Sequence, residues 1–237
     1  MQAQARGDSM QLSGVETRVL DDADAVAAAT AQIVLDAAAE AIAARGAFRL
    51  VLAGGSTPEA AYRLLADAKA QWPSWHLYYG DERCLPADSP QRNSRIVDEA
   101  WLARVAVPRD QVHVIPTEQG AEAAAAAYEP VVDAALPFDL VLLGMGEDGH
   151  TASLFPGHEV RPGPMVMAVH GAPKPPSDRV SLTPSALCRC RRMLVLVTGT
   201  AKRPAIMRWR DGEGLPAARV AVGGNALVLL DRAAAPS

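Results

Sequence analysis

Four stretches of this 237-residue chain group side chains that could do chemistry. The richest is GMGEDGHTASLFPGH, residues 144–158, where Asp148 stands two residues before His150 in a glycine-rich loop. An imidazole titrates near neutral pH and can take a proton from water, and a neighbouring carboxylate fixes its tautomer and orientation. His150 is therefore a candidate general base with Asp148 as its partner. The plainer alternative is a histidine satisfied by backbone in a tight turn. A position directly after the apolar run 138–143 favours function, because scaffold-held loops carry reactive groups. A second stretch, GDERCLPADSPQRNS, puts Asp81, Glu82 and Arg83 at the end of another apolar run. There a carboxylate and a guanidinium can share a hydrogen bond, or simply form a solvated turn.

The other two stretches point to an anion. In LVLAGGSTPEAAYRLL, residues 50–65, a short strand turns into a helix through Gly54 and Gly55. Glycines there permit positive φ and close approach to the backbone; Ser56 or Thr57 can cap the helix, Pro58 fits its first turn and Glu59 can close a capping box. Free N–H groups and the positive helix end make such a corner a phosphate cradle, although a well-capped turn has the same composition. Lys202 lies in GTAKRPAI after a further strand, and Arg179 precedes VSLTPSAL. With the corner, these two cations form a sensible receptor for a phosphate dianion. Neither the lysine of a Walker loop nor the G-x-G-x-x-G spacing is present. No zinc-type spacing joins Asp148, His150 and His158, so no metal and no cofactor is expected.

The elements that must carry these residues alternate. Apolar runs at 48–53, 75–80, 112–115, 138–143, 165–169, 193–198 and 226–230 read as strands, several of them continuous and so covered on both faces. Helical patterns fall at 58–69, 94–104, 119–135, 184–190 and 200–209, after a long Ala-rich helix from Asp21 or Asp22 to Ala44. This predicts an α/β fold, a doubly wound, mostly parallel, Rossmann-like sheet in three layers. Residues 15–237 form a single catalytic domain behind a flexible tail, 1–14, within which Met10 is an alternative start. The Pro- and Gly-dense segment 156–178 is a candidate binding loop. Ligands of such sheets bind at the carboxyl ends of the strands, where all four stretches lie.

Bulk properties narrow the classes. The net charge of −4 with mixed signs gives no basic face for nucleic acid. Cys84, Cys188 and Cys190 are too few for a disulfide framework, which fits a reducing compartment; Cys188 and Cys190 read as two helix cysteines. The first ten residues have no apolar core, and no uninterrupted apolar run reaches membrane-span length. A cytoplasmic protein is expected, a monomer or small homo-oligomer, with no nucleic-acid or membrane partner.

In order, LAGGSTP, YYGDERCLPADSPQRNS, FDLVLLGMGEDGHTASLFPG, RVSLTPSAL and LVTGTAKRPAI resemble the motif series of the 6-phosphogluconolactonase family. GHTASLFPG is the most specific of them. The resemblance implies hydrolysis of 6-phospho-D-glucono-1,5-lactone, a sugar-phosphate lactone, in the oxidative pentose phosphate pathway. It implies that Gly54, Gly55, Ser56, Thr57, Arg179 and Lys202 hold the phosphate, that His150 is the base, and that Asp81, Arg83 and Asp148 surround the lactone. Glu147 stands where proline is frequent, and SPQRNSRIV departs from the usual run, which leaves Arg92, Asn93 and Arg95 without assigned roles. Two rivals share the fold group: a hexosamine-6-phosphate isomerase/deaminase, whose second acid after the histidine is missing here, and a sugar-phosphate-sensing domain.

Overall fold

Continuous apolar runs need cover on both faces, and the computed structural model, which describes residues 12–160 and 163–236, provides it. Strands β1 (Glu16–Leu20), β2 (Phe48–Leu52), β3 (Trp75–Tyr79), β5 (Val112–His113), β6 (Phe138–Gly144), β9 (Cys190–Val197) and β10 (Leu227–Asp231) form one parallel sheet. Its order is β1-β10-β9-β6-β2-β3-β5. Residues 138–143 of β6 are buried throughout, even Asp139, whose charge is met by Arg45 at 2.6 Å and Arg191 at 3.4 Å. From β2 the chain proceeds one way to β3 and β5, while β6, β9 and β10 lie the other way. The order therefore reverses between β2 and β6, the position where open α/β sheets leave a crevice.

Helices cover the sheet: α1 (Ala23–Arg45), α2 (Ser56–Leu65), α3 (Asn93–Val97), α4 (Ala121–Ala135), α5 (Pro184–Leu187), α6 (Arg203–Arg210) and α7 (Pro216–Gly223). Asp22 caps α1 by accepting from the Ala25 N–H at 2.8 Å, and Gly46 closes it in the left-handed region at φ 77°. This helix is long and apolar enough to span a bilayer by length and composition. Its buried face, including Val26, Val34 and Ala41, belongs to the core, and Asp24 and Glu40 lie on its exposed side.

Several elements differ from the sequence reading. The 165–169 run becomes β7 (Val166–Val169), which leaves the main sheet and pairs antiparallel with β8 (Arg179–Leu182); β8 in turn pairs antiparallel with β4 (Asp81–Arg83). Apolar composition does not specify a partner, and charged β4 has no strand signature at all. The sequence reading also omits β1 and α7. The expected helix 94–104 is α3 followed by a π-helical turn, Asp98–Leu102, whose Trp101 packs among Trp72, Trp75 and Tyr62. The expected helix 184–190 stops at Leu187, so Cys188 caps α5 and Cys190 opens β9; they are not two helix cysteines. Of the expected tail, residues 1–11, with Met10, lie outside the described residues, and Leu12 is buried in the core.

Candidate active site

The carboxyl ends of β2, β3, β6 and β9 open on one cleft of about 340 Å³. From the β2 end come Gly54, Gly55, Ser56 and Thr57; from beyond β3 come Asp81 and Arg83. The β6 end contributes His150, and the turn after β9 contributes Lys202. Arg179, at the start of β8, lines the same space. Asp148 stands just behind, against His150.

The glycine corner is not capped as expected. Helix α2 begins at Ser56 with Gly55 at the N-cap, φ 102° and ψ 163°, and no side chain caps it; Glu59 pairs with Arg63 at 2.5 Å instead of closing a box. The hydroxyls of Ser56 and Thr57 are thereby released from capping. Thr57 shares a 2.6 Å hydrogen bond with Thr198 at the end of β9. The first-turn N–H groups have no acceptor within the helix, so the corner presents donors and a positive helix end to the cleft. Gly54 is required by closeness: a Cβ there would sit 2.1 Å from Asn93 Oδ1.

His150 Nδ1 lies 2.5 Å from Asp148 Oδ1, and the same oxygen accepts from the His150 backbone N–H at 3.2 Å. Two backbone bonds close this loop, from Gly146 N–H to His150 O at 2.8 Å and from Gly149 N–H to Gly146 O at 3.0 Å. Partial burial pushes the Asp148 carboxyl upward, but the charge and hydrogen bonds of His150 outweigh it, and the net position is below the ordinary carboxylate value. With Nδ1 engaged, Nε2 is the ring nitrogen left for proton transfer. His158 packs on the Phe155 ring at 5.5 Å instead of joining this pair, and the described residues contain no group of three or more His, Cys, Asp or Glu able to hold a metal ion.

Asp81 is buried, with one carboxylate oxygen accepting from Ser153 Oγ at 2.6 Å and the other from Asn93 Nδ2 at 3.1 Å. Fully buried Glu82 faces away and accepts from the backbone N–H groups of Arg83, Asn93 and Ser94, so it anchors the start of α3. Arg92 is equally buried, 3.6 Å from Glu82 and 3.0 Å from Glu118. Its place is structural, as is that of surface Arg95, which pairs with Glu99 at 3.2 Å. Asn93, by contrast, lines the cleft. Arg83 donates from Nη1 to Gln91 O at 2.7 Å.

Lys202, Lys174 and Arg179 line the same cleft, Arg179 opposite Arg83 in the β4–β8 ladder. Burial lowers Lys202 below the ordinary lysine value; nearby Lys174 pushes the same way, while Glu147 and Asp148 oppose it. Arg179 is likewise lowered by burial, against Asp81. Its Nη2 and Nε donate to the carbonyls of Lys174, Pro175 and Pro176 at 3.0, 3.3 and 3.2 Å, and its guanidinium lies 5.6 Å from the Phe155 ring centre. Lys174, Ser153 and Thr198 have no place among the residues singled out from the sequence, and Asn93 is named there without a role. Lys174 carries a signal, a lone cation in the Pro-rich segment APKPPSD.

Comparison with known proteins identifies the family. The family described as glucosamine-6-phosphate isomerases/6-phosphogluconolactonase matches residues 21–229. A 6-phosphogluconolactonase of Mycobacterium tuberculosis is 39% identical, with 92% of this chain and 96% of that protein covered. The crystal structure of 6-phosphogluconolactonase from Thermotoga maritima superposes with a TM-score of 0.83 at 30% identity, covering 91% of this chain and 98% of that one. A monomeric glucosamine-6-phosphate deaminase superposes almost as well, TM-score 0.81 over 92% of this chain and 98% of that one, but at 22% identity it shares the fold alone.

Proposed function

The chain belongs to the glucosamine-6-phosphate isomerase/6-phosphogluconolactonase family, and from that premise we propose that it hydrolyses 6-phospho-D-glucono-1,5-lactone to 6-phosphogluconate. The observation that carries the reading is His150, locked through Nδ1 to Asp148, in one cleft with the anion-receiving corner and Lys202.

In this reading the 6-phosphate lies against the first turn of α2, taking hydrogen bonds from its N–H groups and from Ser56 and Thr57, with Lys202 supplying a full positive charge. Arg179 lines the same cleft, opposite Arg83. Phosphate binding positions the lactone carbonyl near His150, so much of the rate gain is orientation. Nε2 takes a proton from water as the water oxygen bonds to the carbonyl carbon. Asp148 steadies the imidazolium that forms. The negative oxygen of the tetrahedral intermediate is stabilised by Arg83 and loop N–H groups; removal of one such donor typically costs a factor of roughly 100 to 1,000. As the intermediate collapses, the bond to the ring oxygen breaks and the imidazolium returns its proton to that oxygen. Asp81, held by Ser153 and Asn93, accepts from a substrate hydroxyl and fixes the sugar.

The test offers the lactone, generated from glucose 6-phosphate by its dehydrogenase, and in parallel glucosamine 6-phosphate. Loss of lactone well above the spontaneous rate, without ammonia release from the amino sugar, supports the reading. Ammonia release without lactone opening overturns it in favour of deaminase chemistry.

A further inference from the structure

The segment Pro173-Lys174-Pro175-Pro176 overhangs the cleft, with Lys174 and Pro175 in its wall. Its three prolines have no N–H, so the segment cannot build a backbone network of its own. The base of the loop is secured by the Ala172 N–H donating to Ser177 O at 2.9 Å and by the Cys84 N–H donating to Asp178 O at 3.0 Å. The tip is secured by one side chain: Arg179 reaches back and donates to three consecutive carbonyls, those of Lys174, Pro175 and Pro176. The Arg179 side chain is itself buried, stacked at 5.6 Å on Phe155 and fixed at its root in the β4–β8 ladder opposite Arg83. A planar guanidinium fork suits three fixed acceptors, and an ammonium does not.

We infer that Arg179 is a positioning residue whose hydrogen bonds to the 174–176 carbonyls hold the Lys174 ammonium over the cleft, and that Lys174, beside Lys202, is the cation that completes the receptor for the substrate's phosphate. This rests on the proposed function and deepens it. Lys174 lines the same cleft as the α2 corner, and its charge is felt at Lys202. The phosphate is then gripped between two flexible ammonium groups and a rigid N–H corner. Arg179 spends its donors on the loop.

The inference is tested by calorimetric binding of 6-phosphogluconate to wild type, Lys174→Ala, Arg179→Lys and the double variant. Lys174→Ala weakens binding about 10- to 100-fold, the worth of a hydrogen bond to a charged partner. Arg179→Lys keeps the charge but loses the fork, so it weakens binding in the wild-type background and by less than about twofold once Lys174 is gone. In turnover, both single variants raise KM by a larger factor than they lower kcat, a split that general loosening of the fold does not produce. Arg179→Gln, which keeps two donors and discards the charge, binds more tightly than Arg179→Lys. Wild-type binding by Arg179→Lys or Lys174→Ala, equal losses from Arg179→Lys with and without Lys174, or Arg179→Gln binding more weakly than Arg179→Lys would each overturn the inference. Wild-type turnover is read separately: binding without lactone opening sinks the lactonase reading and leaves the Arg179–Lys174 coupling measurable.

Discussion

Gly146 offers a way to disturb the His150–Asp148 pair without touching either residue. A Cβ on Gly146 would lie 2.1 Å from His150 Nδ1, 2.2 Å from its Cε1 and 2.6 Å from Asp148 Oδ1. Gly146 is not among the residues with positive φ, so alanine meets no backbone penalty there and the whole effect is steric. Carbon contacts are comfortable from about 3.5 Å, so the imidazole must retreat by about 1.4 Å, or the loop must open. A displacement of about 1 Å at a reacting group costs a factor of roughly 100, and the bond to Asp148 is strained by the same movement. Gly146→Ala is therefore expected to lower kcat about 100-fold, or about 2.7 kcal/mol of barrier, with KM nearly unchanged because the atoms nearest the new methyl belong to His150 and Asp148 and not to the phosphate receptor. The assay follows loss of enzymatically generated lactone with spontaneous opening subtracted, alongside circular dichroism to confirm folding. A folded Gly146→Ala enzyme that keeps more than about a third of the wild-type kcat would refute the claim that this dyad sets the rate.

Two further outcomes follow from the same geometry. Glu82→Gln removes the charge that serves three backbone N–H groups and faces buried Arg92, so it should cost about 3 kcal/mol of stability, on the order of 10 °C in Tm by thermal melts; an unchanged Tm would show that the network is dispensable. Lys202 is depressed by burial, so its charge is lost as pH rises through a value below that of an ordinary lysine, and phosphate affinity should fall there. Lys202→Arg stays charged and should move that alkaline loss of affinity to higher pH; an unmoved KM-against-pH profile would exclude Lys202 as its source.

Most of the cleft residues were legible because they follow apolar runs, and a parallel sheet gathers strand ends at one edge; Arg179, which opens β8, is the exception. Asp148 and His150 were readable as a pair because a single glycine, Gly149, separates them. The antiparallel β4–β8–β7 sheet was not readable. Asp81, Glu82 and Arg83 look like a solvated turn, and only pairing with Arg179, Val180 and Ser181 makes them a strand. The same long-range pairing explains why the sequence assigns no role to Ser153 or Asn93: each meets Asp81 from a different part of the chain, and polar contacts leave no periodicity. The corner was read correctly as a strand-to-helix turn, but the cap was assigned to hydroxyls when Gly55 occupies it. Segment 173–176 falls in the candidate binding loop 156–178, but its prolines signal only the absence of donors and not how the loop is held. What supplies the missing donors, Arg179, is visible only in three dimensions.

The central claim is that His150 opens the lactone by activating water. It is tested most directly by comparing wild type with His150→Asn, measuring kcat and KM for 6-phosphogluconolactone against the spontaneous background. A kcat at least about 100-fold lower is expected, with KM changed by less than about threefold, since the base acts in the transition state and the phosphate contacts are intact. A variant that opens the lactone at the wild-type rate would contradict it.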